Sequence, residues 1–228
     1  MSALPYYTAN DNATPFPEVK HALKDPDGLL AMGGNLHPDR LLSAYMNGIF
    51  PWYNDNEPIL WWSPDPRSVI LAHQLKLSRS LKKSIRNKNY QITYNKAFNK
   101  VLHSCTKPRS YTSDTWINSD MIKAYQLLHH LGYAHSVETW QNNVLVGGLY
   151  GVILGKIFFG ESMFATQTDA SKVAFYHLYQ KLMQRNFVLI DCQVESKHMN
   201  SLGASNIERQ TFISLLNQYC HLDPLSNL

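Results

Sequence analysis

Acidic residues are missing from one long stretch of this 228-residue chain. Between Ser68 and Ser113 there are ten lysines and arginines and no aspartate or glutamate. Cysteine is scarce: Cys105, Cys192 and Cys220 are far apart and form no C-x-x-C pair, which argues against a disulfide framework and a cysteine-cage zinc site. No apolar run reaches membrane-spanning length, and MSALPYYTAN lacks a basic segment followed by an apolar one. Neither a membrane protein nor a secreted one is expected, and the cytoplasm is the default compartment. The sequence also holds no GxSxG, HExxH, Walker loop or GxGxxG, so the reactions those motifs carry are set aside. What remains is globular composition, 44% apolar and 17% charged, long enough to bury a core.

The acid-free stretch concentrates positive charge. The ten residues are Lys76, Arg79, Lys82, Lys83, Arg86, Lys88, Lys96, Lys100, Lys107 and Arg109, and outside them the chain is net negative. LSRSLKKSIRNK reads as a helix capped by Ser78, with Leu77, Leu81 and Ile85 as its apolar stripe. Arg79, Lys82, Lys83 and Arg86 then share one face. Such a face is either a solvated surface or a seat for a polyanion, and charge alone does not say which polyanion.

Turn formers and aromatics crowd the first third: TPFP, KDPDG, AMGGN, GIFPW and WWSPDPR. Within it, PDRLLSAYM reads as a short helix ended by Asn47-Gly48. ILWWS and RSVILA read as short strands joined at Pro64-Asp65-Pro66. The strand YQITY and a helix near Lys96–Cys105 follow the basic helix. Asn118–Leu131 reads as another helix, with Ser119 able to cap it. From Ala134 the order is strand, strand, strand, a long helix over Ala170–Arg185 with Asp169 or Thr168 as cap, the apolar strand FVLIDCQV, and two short helices. This β-β-β-α-β-α order predicts an α+β fold, the order of the N-acyltransferase superfamily, which by itself does not fix function.

Polar residues inside strands are the candidates for chemistry. In LIDCQV, strand alternation puts Asp191 and Gln193 on one face and Cys192 on the other, which makes Cys192 a small buried apolar residue rather than a nucleophile. Asp191 beside Gln193 is either a buried structural network or a relay in which Asp191 orients Gln193 and the amide oxygen accepts an amine N–H. Glu161 in FFGESMF could meet a cationic group or form an internal salt bridge. Leu149, Phe158, Phe159, Met163, Phe164, Phe175 and Ile190 are either core or the lining of an apolar pocket. His129-His130 reads as surface or packing rather than as a ligand pair.

GLLAMGGNL, RLLSAYMNGIFPWY, PILWWSPDPR, GGLYGV, FFGESMF, DASK, LIDCQV and SLGA occur in the order found in leucyl/phenylalanyl-tRNA–protein transferases, and the sequence resembles that family from about Phe16 to Leu216. The resemblance implies a small N-terminal α+β domain over 1–65 and a C-terminal acetyltransferase-like (GNAT-like) mixed sheet flanked by helices over 66–228. It implies a leucyltransferase that moves leucine or phenylalanine, less readily methionine, from aminoacyl-tRNA to the α-amine of proteins beginning with Arg or Lys. The product would be an N-degron for a Clp-type protease. No metal, no small-molecule cofactor and no membrane are implied, and a monomer is expected.

By the same resemblance Asp191 and Gln193 match a relay pair and Glu161 an active-site carboxylate. Trp52, Trp116 and Tyr125 match positions at the tRNA 3′ end or near the acceptor. Leu149, Phe158, Phe175 and Ile190 match the side-chain pocket, where Leu149 is methionine and Phe175 leucine in some relatives. The basic face at Arg79, Lys82, Lys83 and Arg86 suits the tRNA backbone. Strand parity puts Phe158 and Glu161 on opposite faces, so both reach one site only if Gly160 marks a bulge.

Two other functions compete. An acetyl-CoA-dependent N-acetyltransferase would carry a (Q/R)xxGxG/A loop, and the corresponding ATQTDASK has no glycine. A non-catalytic RNA-binding module would use the basic helix and leave Asp191, Gln193 and Glu161 structural.

Overall fold

The structure, a computed structural model, describes residues 4–8, 11, 13–107 and 118–221. The first third builds a four-stranded sheet from β1 (Tyr6–Tyr7), β2 (Leu29–Gly33), β3 (Phe50–Pro51) and β4 (Leu60–Trp62), in the order β1-β2-β4-β3. Helix α1 (Pro38–Met46) has the expected bounds. Pro38 stands where no N–H is needed, His37 accepts from the Asp39 N–H, and Asn47 with Gly48 at φ +72° ends the helix.

The remainder builds a seven-stranded sheet from β5 (Arg67–Leu71), β6 (Gln91–Tyr94), β7 (Ala134–Gln141), β8 (Val144–Leu154), β9 (Ile157–Ala165), β10 (Leu189–Gln193) and β11 (Ser205–Ile207), in the order β11-β5-β10-β9-β8-β7-β6. Every neighbouring pair is antiparallel except β9 and β10. Six helices accompany it: α2 (Arg79–Asn87), α3 (Phe98–Cys105), α4 (Ser119–His130), α5 (Ala170–Gln184), α6 (Lys197–Ser201) and α7 (Arg209–Tyr219). The period-two rule sorts β8 between two cores: Tyr150, Val152 and Leu154 pack with α3 and α4, whereas Leu149 and Ile153 pack with α5. This is an α+β architecture with a mixed sheet flanked by helices, as expected.

Several local expectations change. ILWWS and RSVILA go to different sheets, so the Pro64-Asp65-Pro66 link carries the chain from one sheet to the other. The two sheets share an apolar core, since Tyr45 and Trp61 belong to the same buried cluster as Tyr125, Phe159 and Phe212. Asn118 rather than Ser119 caps α4, its side-chain oxygen accepting from the Asp120 and Met121 N–H groups. Asp169 precedes α5 in a left-handed conformation (φ +63°) and makes no side-chain cap. Strand β11, too short and polar to read from sequence, completes the sheet edge.

The feature that makes a site is the parting of β9 and β10. They pair only where Ile157–Phe159 face Leu189–Asp191. Beyond that, β9 runs on to Ala165 while β10 ends at Gln193. A cavity of about 1300 Å³ opens between them. Drug-sized ligand sites typically have roughly 300–1,000 Å³, so two reactant groups can meet here.

Candidate active site

Two bulges bring the site residues to the cavity. Between β8 and β9, Tyr150 faces Ser162 and Gly151 faces Gly160, so Glu161 is the extra residue. The extra residue resets the alternation, and Phe158 and Glu161 both line the cavity. Between β10 and β5, Asp191 faces Val69 and Gln193 faces Ser68, so Cys192 is extra and Gln193 takes φ +63°.

The bulge corrects the simple alternation picture of Asp191 and Gln193. Asp191 is fully buried and forms a two-pronged salt bridge with Arg67: Nε donates to Oδ1 at 2.8 Å and Nη2 to Oδ2 at 2.7 Å. Asp191 Oδ1 also accepts the backbone N–H of Gln193 at 2.9 Å. Asp191 thus holds the backbone of Gln193, while the side-chain amide is held by Glu161, whose Oε1 accepts from Nε2 at 3.0 Å. No hydrogen bond to the Gln193 amide oxygen is present among the described residues. Arg67 also donates to the Gly48 carbonyl at 3.2 Å and packs between the rings of Phe50 and Phe212.

Glu161 forms no salt bridge among the described residues; besides the Gln193 amide it meets hydroxyls. Tyr45 Oη lies 2.8 Å from Oε1, Tyr125 Oη lies 2.5 Å from Oε2, and the two hydroxyls lie 2.6 Å from each other. Three short hydrogen bonds close a triangle for which two tyrosines bring only two hydrogens. A proton on the carboxyl completes the set. Burial acts in the same direction and pushes Glu161 up to about 7, against the pull of Tyr125 and Tyr45. Burial, and next the Glu161 charge, raise both tyrosines well above their ordinary value, so they stay protonated.

A testable sign follows. A carboxyl raised from 4.5 to about 7 by folding favours the native state most when protonated. Its contribution is full below 4.5 and is lost as the pH climbs through about 7. The melting temperature of Glu161→Gln should therefore gain on the parent as pH rises through this window. Parallel melting curves would refute the assignment.

The other expected positions divide. Leu149, Phe158, Phe175 and Ile190 all line the cavity and form its apolar wall beneath α5. Trp52 is 44% exposed at the cavity and packs at 5.8 Å against Trp62. Tyr125 is fully buried behind the cavity wall and meets the cavity-lining Glu161 through its hydroxyl. Trp116 lies outside the described residues. Cys192 touches the cavity, but burial and then the Asp191 charge raise its thiol far above the usual range, which leaves it a poor nucleophile. His129 stacks on Phe98 at 4.1 Å, a packing role. Arg79, Lys82, Lys83 and Arg86 are all exposed on α2, which buries Leu81 and Ser84 and is capped by Ser78.

Sequence reading missed Tyr45 and Arg67. No group of three His, Cys, Asp or Glu side chains is placed to hold a metal ion among the described residues. Among them, too, no helix is long and apolar enough to cross a membrane.

The family model described as leucyl/phenylalanyl-tRNA protein transferase matches residues 69–217, and that of its N-terminal domain matches residues 34–65. Curated relatives named leucyl/phenylalanyl-tRNA–protein transferase are 54% identical in Cellvibrio japonicus (88% of this chain, 86% of that one) and 52% identical in Stutzerimonas stutzeri (91% of each). Solved structures similar to the chain include a GCN5-related N-acetyltransferase from Kribbella flavida (TM-score 0.38, 8% identity, 72% of this chain and 58% of that one). Another is L-PGS from Bacillus licheniformis (TM-score 0.40, 7% identity, 86% and 62%). The family matches make this chain an aminoacyltransferase. It belongs to the leucyl/phenylalanyl-tRNA–protein transferase family.

Proposed function

We propose that this enzyme transfers leucine or phenylalanine, and less readily methionine, from aminoacyl-tRNA to the α-amine of proteins that begin with Arg or Lys. The observation that carries the reading is the Gln193 amide, tied at Nε2 to Glu161 and presenting its oxygen beside an apolar pocket. The donor ester is already activated, so neither ATP nor an enzyme nucleophile is needed. The acceptor α-amine, with a pKa near ~8, has a usable neutral fraction at pH 7.

In this reading the donor side chain fills the wall made by Leu149, Phe158, Phe175 and Ile190. The amine donates one N–H to Gln193 Oε1, which aims its lone pair at the ester carbon. The N–C bond forms as the C–O bond to the ribose breaks; the amine loses a proton and the ribose oxygen gains one. Glu161 holds Gln193 by the side chain, and Asp191 with Arg67 holds it by the backbone. Trp52 at the cavity mouth offers a face for stacking the terminal base. One methylene in an apolar pocket is worth about 1–3 kcal/mol, so leucine and methionine are separated only modestly. The product is a degron for Clp-type proteolysis in the cytoplasm, made by a single chain whose described site residues all come from one molecule.

The experiment is incubation with radiolabelled Leu-tRNA and an Arg-initiated peptide. Label at the peptide N-terminus supports the reading; tRNA binding without labelled peptide would favour an RNA-binding module. The basic face of α2 carries a further expectation. Reversing charge at Lys82, Lys83 and Arg86 should weaken Leu-tRNA binding and reduce the slope of log K against log salt, by about one for each phosphate no longer neutralised. An unchanged slope would remove α2 from the tRNA interface.

A further inference from the structure

We propose that Ser171, Lys172 and the amino end of α5 form a seat for a phosphodiester of the donor's single-stranded 3′ end, between the basic face of α2 and the cavity. The inference deepens the transferase reading and rests on it.

Lys172 stands in the first turn of α5, half-buried, on the cavity wall. No carboxylate lies within ion-pair distance of it among the described residues. Its ammonium is therefore available to an anion that enters the cavity. Ser171, beside it on the same wall, is only 7% exposed, and its hydroxyl has no hydrogen-bond partner among the described residues. Its oxygen keeps some exposure, so a phosphate oxygen in the cavity can take the place of water as its partner.

The helix end adds donors. The N–H groups of Ala170 and Val173 bond to the carbonyls of Gln167 and Asp169, which leaves those of Ser171 and Lys172 without a backbone acceptor among the described residues. Asp169, in the cap position, does not cover them, because its Oδ2 accepts from Ser84 Oγ on α2 at 2.7 Å. Fifteen residues of helix dipole point their positive end at this spot. The underlying strand is kept bare to admit it: a Cβ on Gly147 would stand 2.6 Å from Ala170 Cβ and 3.0 Å from Ser171 N.

The same loop is fastened to the basic helix and its following segment. Besides the Ser84–Asp169 bond, Tyr90 Oη donates to the Thr168 carbonyl at 3.0 Å. A strand of nucleic acid leaving α2 therefore meets the start of α5 before the apolar pocket. That order favours an internucleotide phosphate over a free nucleotide or a phosphorylated peptide.

Three donors test it: phenylalanyl-tRNA, phenylalanyl-adenosine, which has no phosphate, and the aminoacylated dinucleotide cytidylyl-(3′→5′)-adenosine, which has one. Lys172→Ala should raise KM for the tRNA and the dinucleotide by about tenfold, the size of one charge-assisted hydrogen bond. Ser171→Ala should raise it less, and Lys172→Arg should restore most of it. Transfer from phenylalanyl-adenosine should stay at the parent rate, which also reports that each variant is folded. Equal losses on all three donors, or no loss on any, would overturn the phosphate seat. A parent enzyme inactive with every donor would instead overturn the transferase reading beneath it.

Discussion

Gln193→Ala should lower kcat by about 10²–10⁴-fold while the KM for aminoacyl-tRNA stays nearly unchanged. The side chain lies at the cavity wall, away from the α2 face proposed to grip the tRNA, and its amide nitrogen is committed to Glu161. Only the amide oxygen is open to a reactant, so truncation removes the acceptor that the incoming amine would use. Gln193→Glu is the sharper companion, because it exchanges the amide that donates to Glu161 for a second carboxyl. It should be no better than alanine near neutral pH. Steady-state kinetics with an Arg-initiated peptide decide it. An alanine variant with full kcat would reduce Gln193 to a spacer and leave alignment of the two substrates as the whole of catalysis.

The second large effect falls on stability. Asp191→Ala leaves Arg67 buried without its counter-charge, and breaking a buried pair from one side costs about 3–5 kcal/mol. Replacing both partners, as in Arg67→Met with Asp191→Leu, should recover most of that stability, since apolar groups of similar volume often serve as well. It should not recover turnover, because nothing then anchors the left-handed backbone at Gln193. Urea titration and kcat measured on the same three proteins separate the two roles. A stable double variant with parental kcat would make the ion pair purely architectural.

Much of the scaffold is legible in the sequence because it follows from local rules. Pro38 and Gly48 punctuate α1, Ser78 caps α2, and the alternating apolar residues of β8 find two separate cores. The apolar run of β10 correctly implies a strand flanked on both sides. What cannot be read are the places where counting by twos fails. Glu161 and Cys192 are inserted residues, and one insertion sends every later side chain to the other face. The need for a bulge near Gly160 can be inferred from two residues required at one site; its counterpart in β10 has no such clue. Arg67 does leave a signal: a lone arginine in RSVIL and a lone aspartate in LIDCQV are each unfavourable in an apolar strand unless they meet. Tyr45 leaves none, since an aromatic on a buried helix face gives no hint of where its hydroxyl points.

Glu161 is gripped by one hydroxyl from α1 and another from α4, so it is assembled from both sides of the Pro64–Pro66 link. The amino-terminal third therefore supplies a direct hydrogen-bond partner to the candidate site's buried carboxyl. Removing either hydroxyl, the one from the first third or the one from the remainder, would leave that carboxyl with half of its tyrosine support.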